Sequence, residues 1–276
     1  MIKKILLAAA LILVCTLAYY NAVRINTKQL RIREEILYSD KISEDSSGFL
    51  IAAFSDLYYG SYIGQDFLQN TVETINSFQP DLIVFAGDLI DQSAFPEEEE
   101  RIFLIQQLSS LKARYGKFAV LGDQDHIRKE EIENLLLVSG FTVLDNSSDL
   151  ISINRSTYLN IVGIDSLNGG SPDVTSAFSG INANYFSFVL SHCPDIFDSV
   201  LGYSADCLFA GHSRGGQIYI PVISDIGKEY GCRKYFRGKY TKNNVTLDIS
   251  NGVGRCSKNA RLNADAEIVF YTLKQK

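Results

Sequence analysis

The chain has 276 residues, 46% apolar and 21% charged, a balance that supports one sizeable folded core and excludes a largely disordered protein. Its formal charge of −6 argues against a general nucleic-acid grip, which needs clustered Lys and Arg to neutralise phosphates. A phosphoester substrate or another phosphate-bearing ligand remains open, because a bound metal can supply the local positive charge.

Lys3 and Lys4 precede an apolar stretch that runs from Ile5 to about Ala18 and on through Tyr19 and Tyr20 to Val23. Residues 1–23 read as an uncleaved, single-pass signal anchor rather than a cleaved signal peptide. Thr16-Leu17-Ala18 is a mediocre cleavage site, and Val14 before Cys15 makes a poor lipoprotein signal. Basic residues flank both ends (Lys3 and Lys4; Arg24, Lys28, Arg31 and Arg33), so charge orients the segment weakly. A long downstream domain translocates regardless, and an extracytoplasmic domain is expected. Residues 24–47, charged and polar, read as a stalk ahead of a domain covering 48–276.

From Phe49 onward short apolar runs alternate with amphipathic stretches. Ile51 to Asp56 reads as a strand, and Phe67, Thr71, Ile75 and Phe78 follow at helical spacing with Pro80 as a stop. Leu82 to Asp88 is the next strand. Glu97–Glu100 then open a helix carrying Phe103, Leu104, Leu108 and Leu111, acids in a first turn suiting the helix dipole. Beyond Val120 come a helix near 130–138 and strand-like segments near 141–144, 150–153 and 158–162. Two apolar runs ending in histidine follow, and from Lys234 the tail reads as strands only. This order implies an α/β fold, a two-sheet β-sandwich flanked by helices. Cys15 lies in the apolar segment, and the other four cysteines form no CxxC pair, which excludes a zinc knuckle. Cys232 and Cys256, both in polar sequence, are open to pairing in an oxidising compartment or to remaining free thiols.

The chemistry lies at the strand ends. Two of only three histidines close apolar runs, in Phe188-Val-Leu-Ser-His192 and Cys207-Leu-Phe-Ala-Gly-His212. Three more runs close on Asp56, Asp88 and Asp123. Any one such residue is more often a cap or turn former, but repetition at successive strand ends points to a single crevice, where open α/β sheets bind ligands. Mixed oxygen and nitrogen donors suit manganese, iron or zinc rather than calcium.

These residues resemble the calcineurin-like metallophosphoesterases, and more closely the membrane-anchored bacterial branch, from about Phe49 to Leu273. The resemblance rests on Asp56-Leu-Tyr-Tyr-Gly60, Gly87-Asp-Leu-Ile-Asp91, Gly122-Asp-Gln-Asp125, Ser191-His-Cys-Pro-Asp195 and Gly211-His-Ser-Arg-Gly-Gly-Gln217. Asn251-Gly-Val-Gly254, Arg261-Leu262 and Glu267-Ile268 extend it. It implies hydrolysis of phosphoric mono- or diesters by two metal ions about 4 Å apart that clamp the phosphate. This chain departs from the pattern in three places. Tyr58 and Arg214 stand where the family carries the two histidines of one metal, leaving that position Asp56 and the shared Asp88. Gln124 stands where a histidine assists the leaving group. The other position looks nearly whole, with Asp88, His192, His212 and Asp123, the last in place of the usual asparagine.

The expectation is therefore a membrane-anchored phosphoesterase that binds one divalent metal per chain rather than two, with Asp88, Gln124 and Arg214 in catalytic roles. Arg214 is expected to place its guanidinium near Asp56 and Asp88 as a substitute cation that also forks to phosphate. Tyr58 is expected to pack beside the site, with ligation as a phenolate the alternative; His126 is expected to be a surface residue rather than a substitute for the missing acid, and Cys193 to be buried packing. The alternative is an inactive protein on the same fold that binds a phosphate, a lipid head group or a partner.

Overall fold

A computed structural model describes residues 2–221, 223 and 228–276. Helix α1 (Ile2–Tyr20) runs into a π-helical turn, and the whole of Ile2–Ile25 is long and apolar enough to cross a membrane. Strand β1 (Leu30–Ser39) comes next, then β2 (Leu50–Phe54), α2 (Gln65–Ser77), β3 (Leu82–Ala86), α3 (Glu98–Ser109), β4 (Lys117–Val120), α4 (Lys129–Val138) and β5 (Phe141–Val143). The chain continues through β6 (Ser147–Ser152), β7 (Tyr158–Ile164), α5 (Val174–Phe178), β8 (Phe186–Ser191), α6 (Phe197–Val200), β9 (Cys207–Ala210), β10 (Gly238–Lys242), β11 (Val245–Ile249) and β12 (Ala266–Gln275).

Two six-stranded sheets pack face to face, in the orders β1-β12-β2-β3-β4-β5 and β10-β11-β9-β8-β7-β6. The central strands run parallel in each, β2 through β5 in one and β7, β8, β9 and β11 in the other. Such strands are covered on both faces, so they are apolar throughout rather than alternating. In β2, Ile51 and Ala53 face the inter-sheet core with Val84, Phe188 and Phe209. Ala52 and Phe54 face outward onto Leu68, Val72 and Ile75 of α2 and Leu104 of α3. The second sheet's outer face is covered by Phe178 of α5 and Phe197 and Val200 of α6. The expected two-sheet sandwich with outer helices is the observed architecture.

The stalk expected over 24–47 requires correction, because residues 30–39 form β1 and pair in parallel along the whole of β12, from Leu30 opposite Ala266 to Ser39 opposite Gln275. The polarity of this edge strand concealed it. Arg33 points inward and makes a bidentate bond to the buried Asp248 of the other sheet at 2.8 and 3.0 Å, with Glu267 at 3.3 Å. The apolar Ile32, Ile36 and Tyr38 face outward instead. A charged residue is tolerated inside because its counter-charges are already there, on β11 and β12.

Candidate metal centre

Asp56, Asp88, Asp123, His192 and His212 follow the carboxyl ends of β2, β3, β4, β8 and β9, and the fold brings them to one place. The ligand-capable atoms of Asp123, His192 and His212, and separately those of Asp56, Asp88 and His192, lie within 4.8 Å of one another. The backbone turns sharply there. Asp56, Tyr58, Asp88, His212 and Arg214 all take left-handed φ, between 48° and 67°. Each costs a residue with a Cβ about 1–2 kcal/mol, so surrounding contacts must hold it. For Asp88 the holding group is Asp125, which accepts the backbone N–H of Asp88 (2.8 Å), Leu89 (2.9 Å) and Gly122 (2.9 Å). Gly122 lies so close that a Cβ there would collide with the Asp88 carboxylate.

Both histidines are oriented by main-chain carbonyls. His192 Nδ1 lies 2.7 Å from Ala86 O, and His212 Nε2 lies 2.7 Å from Tyr230 O, so in each ring the anchored nitrogen carries the proton it donates. The opposite nitrogens face carboxylates: His192 Nε2 is 3.2 Å from Asp88 Oδ2, and His212 Nδ1 is 3.1 Å from Asp123 Oδ2. Among the described residues neither of these nitrogens has a hydrogen-bond partner, nor does Asp56 Oδ1, and all three atoms are buried. A lone pair facing a carboxylate is repulsive unless a proton or a metal ion lies between them. With protons there, His192 is held well above the usual histidine range and His212 is pushed up to about 11. Burial opposes both shifts, but Asp88 outweighs it for His192 and the Asp123 hydrogen bond does so for His212. The donors, buried imidazole and carboxylate with their outer nitrogens anchored, fit a divalent ion and follow the usual outer-shell arrangement of metal-bound histidine. Asp123 is positioned further by Ser166 Oγ at 2.5 Å and Asn168 Nδ2 at 2.9 Å.

Tyr58 is more than packing. Its hydroxyl donates to Asp88 Oδ2 at 2.5 Å and accepts from Arg214 Nη1 at 2.8 Å. Burial, first among the causes, raises its phenol well above the ordinary value, so the hydroxyl keeps its proton and remains a donor. Arg214, expected near Asp56 and Asp88, makes no direct bond to either carboxylate among the described residues. The guanidinium bonds Tyr58, the carbonyl of His212 (3.0 Å) and the exposed Glu229 (3.1 Å), and it reaches Asp88 only through the phenol. Arg214 and Glu229 also line a cavity of about 210 Å³ with Lys228 and Phe236.

A sequence profile described as calcineurin-like phosphoesterase matches residues 49–217, which contain all five clustered residues. The chain belongs to the calcineurin-like phosphoesterase family. It is similar to an uncharacterised metallophosphoesterase of Bacillus subtilis, YkuE, with 30% identity over 258 residues, 93% of this chain and 90% of that one. A transmembrane protein with a metallophosphoesterase domain from Danio rerio is 26% identical, the match covering 96% of this chain and 62% of the relative. Among solved structures, a dimetal phosphatase from Danio rerio aligns over 75% of this chain and 88% of its own, at 11% identity and a TM-score of 0.46. Family membership implies use of a divalent metal and a phosphate-ester substrate.

In this phosphoesterase Gln124 contributes its backbone N–H to Asp88 Oδ1 at 2.8 Å. His126 is not a surface residue: its Nε2 lies 2.8 Å from Asp165 Oδ1, with both side chains less than a tenth exposed. Cys193 is fully buried and its thiol is pushed up to about 12, chiefly by burial, which agrees with a packing role. Cys232 and Cys256 are free thiols. Ser166 and Asn168 were missed, and Asp125 was read as part of a motif without a role. Asp165-Ser166 directly follows β7, so extending the strand-end rule to one more strand would have found Ser166. The carbonyls of Ala86 and Tyr230 leave no signal in side-chain identity.

Proposed function

We propose that this chain is a membrane-anchored phosphoesterase that holds one divalent ion through Asp88, Asp123, His192 and His212, and whose second metal position is degenerate. The observation that carries this is the pair of buried imidazole nitrogens, His192 Nε2 and His212 Nδ1, each without a partner and each facing a carboxylate while the opposite nitrogen is fixed on a carbonyl. An ion bound there supplies Lewis acidity toward a phosphoryl oxygen and lowers the pKa of a water. The residues do the rest. Asp88 is oriented by Tyr58 and by the backbone of Gln124, and Asp123 by Ser166 and Asn168. Tyr58 and Arg214 occupy the positions of the second ion's histidines with a hydrogen-bond relay that ends on Asp88. Arg214 Nη2, shared with the exposed Glu229, is accessible to a phosphate by exchange of partner.

Gln124 offers amide hydrogen bonds to the phosphate but no acidic proton, which favours substrates with good leaving groups; loss of a general acid costs about 10²–10⁴-fold otherwise. Residues 1–23 anchor the protein, the domain begins at β1 rather than at Gly48, and it lies outside the cytoplasm.

Metal content by elemental analysis, with bis-p-nitrophenyl phosphate hydrolysis in added manganese, tests this. About one metal per chain and turnover, both lost in His212→Ala, supports a one-metal enzyme. No metal and no turnover moves the reading to a phosphate-binding protein without catalysis, an alternative favoured by the Tyr58–Arg214 relay. Tyr58→His with Arg214→His should raise both metal content and rate if the missing position limits the chemistry.

A further inference from the structure

Arg255 is 5% exposed and has no carboxylate partner among the described residues. Its two amino groups bond the carbonyls of Thr27 and Tyr62, its guanidinium lies 5.5 Å from the Phe67 ring centre, and its Nε has no partner among the described residues. A buried cation without a counter-charge is unfavourable unless an anion completes it. Arg261 is also buried without a carboxylate partner, but its amino groups are taken up by four carbonyls, those of Asn251, Gly252, Gly254 and Ala264. Arg255 differs because it lines a cavity of about 560 Å³.

That cavity lies between the end of the anchor segment and α2. Arg24 and Lys28 line it from the anchor side, both exposed and neither in an ion pair among the described residues. Asn70 and Asn259 add amide donors, and Asp66 is the one acid in the lining among the described residues. Position along the anchor indicates the source of the anion. Tyr19 and Tyr20, 70% and 57% exposed, end the apolar run of α1 in the manner of an interfacial aromatic belt. Arg24 follows Tyr20 by four residues of π-helical turn, at most about 6 Å along the axis, within head-group depth.

We infer that this cavity binds the phosphate of an anionic phospholipid head group, with Arg255 as the buried cation and Arg24 and Lys28 at the rim. The inference rests on the anchor reading above and is independent of catalysis. The site is separate from the metal centre: none of the residues lining it belongs to the clustered carboxylates and histidines. Head-group binding would fix the pose of the domain on the bilayer, because the Arg255 side chain joins the linker after the anchor, at Thr27, to the loop at Tyr62.

Native mass spectrometry of the detergent-solubilised full chain, titrated with phosphatidylglycerol, phosphatidylcholine or inorganic phosphate, tests it. Expected is retention of phosphatidylglycerol at least tenfold over phosphatidylcholine, weakened about fivefold by each of Arg24→Gln and Lys28→Gln. Arg255→Gln should abolish the preference, and the two exposed-residue variants carry the test if that variant fails to fold. Equal retention of both lipids, or no effect of the rim variants, would overturn the inference. Inorganic phosphate bound with the same rim dependence and no lipid retained would overturn its lipid part. Hydrolysis of bis-p-nitrophenyl phosphate should be unchanged in Arg24→Gln and Lys28→Gln, so failure of the catalytic reading and failure of this one are distinguishable.

Discussion

Asp125→Asn isolates the contact that sustains the strained turn at Asp88. The carboxylate accepts two N–H groups on Oδ2, from Asp88 and Gly122, and one on Oδ1, from Leu89. The best-oriented amide keeps its oxygen on the two-bond side and turns an NH2 toward the Leu89 N–H. Two charge-assisted bonds become neutral, at about 1 kcal/mol each, and one buried donor is left unsatisfied, at about 1–3 kcal/mol. Relief of repulsion between two buried carboxylates returns part of this, for a net loss of about 2–3 kcal/mol. Burial first, then Asp88, push the Asp125 carboxyl up to about 7, so the comparison belongs at pH 8, where it is ionised. Differential scanning fluorimetry of the full chain in detergent should show a fall in Tm of roughly 4–12 °C, at about 2–4 °C per kcal/mol for a domain of this size. Metal affinity should fall with it, because Asp88 loses its fixed orientation. A Tm within 1 °C of the parent would refute the role assigned to Asp125.

Tyr58→Phe removes the hydroxyl that orients the Asp88 carboxylate. Manganese should bind about 10–100-fold more weakly by isothermal titration, the usual loss when an outer-shell partner of a metal ligand is removed, and unchanged or tighter binding would count against the relay. The His126–Asp165 pair raises the histidine above its ordinary value, chiefly through the Asp165 hydrogen bond. Its stabilisation is therefore fully present below about pH 6.5 and is lost as pH rises through the higher folded value. The Tm gap between parent and His126→Gln should accordingly narrow from pH 6 to pH 9, and a gap independent of pH would show a role in packing alone. Cys193, buried with its thiol pushed up to about 12, should resist iodoacetamide at pH 8 in the folded chain and react after unfolding, as read by peptide mass. Alkylation of the native protein at Cys193 would contradict its burial.

Apolar runs ending in Asp or His were enough to place β2, β3, β4, β8 and β9, because strands covered on both faces need continuous apolar sequence and their ends must turn polar where the sheet opens. That local pattern held for Asp56, Asp88, Asp123, His192 and His212. It failed for β1, where Arg33 faces inward, since its partners Asp248 and Glu267 are more than 200 residues away and no local period reveals them. The same limit explains the relay and the histidine anchors. Tyr58 and Arg214 were legible as substitutions, but their contact with each other and with Asp88, and the carbonyls of Ala86 and Tyr230 that aim the two rings, arise only when separate strand ends meet. Residue type and short-range spacing therefore determined which groups are available for chemistry. Their direction, protonation and partners depend on distances through space, and only the folded chain decided those.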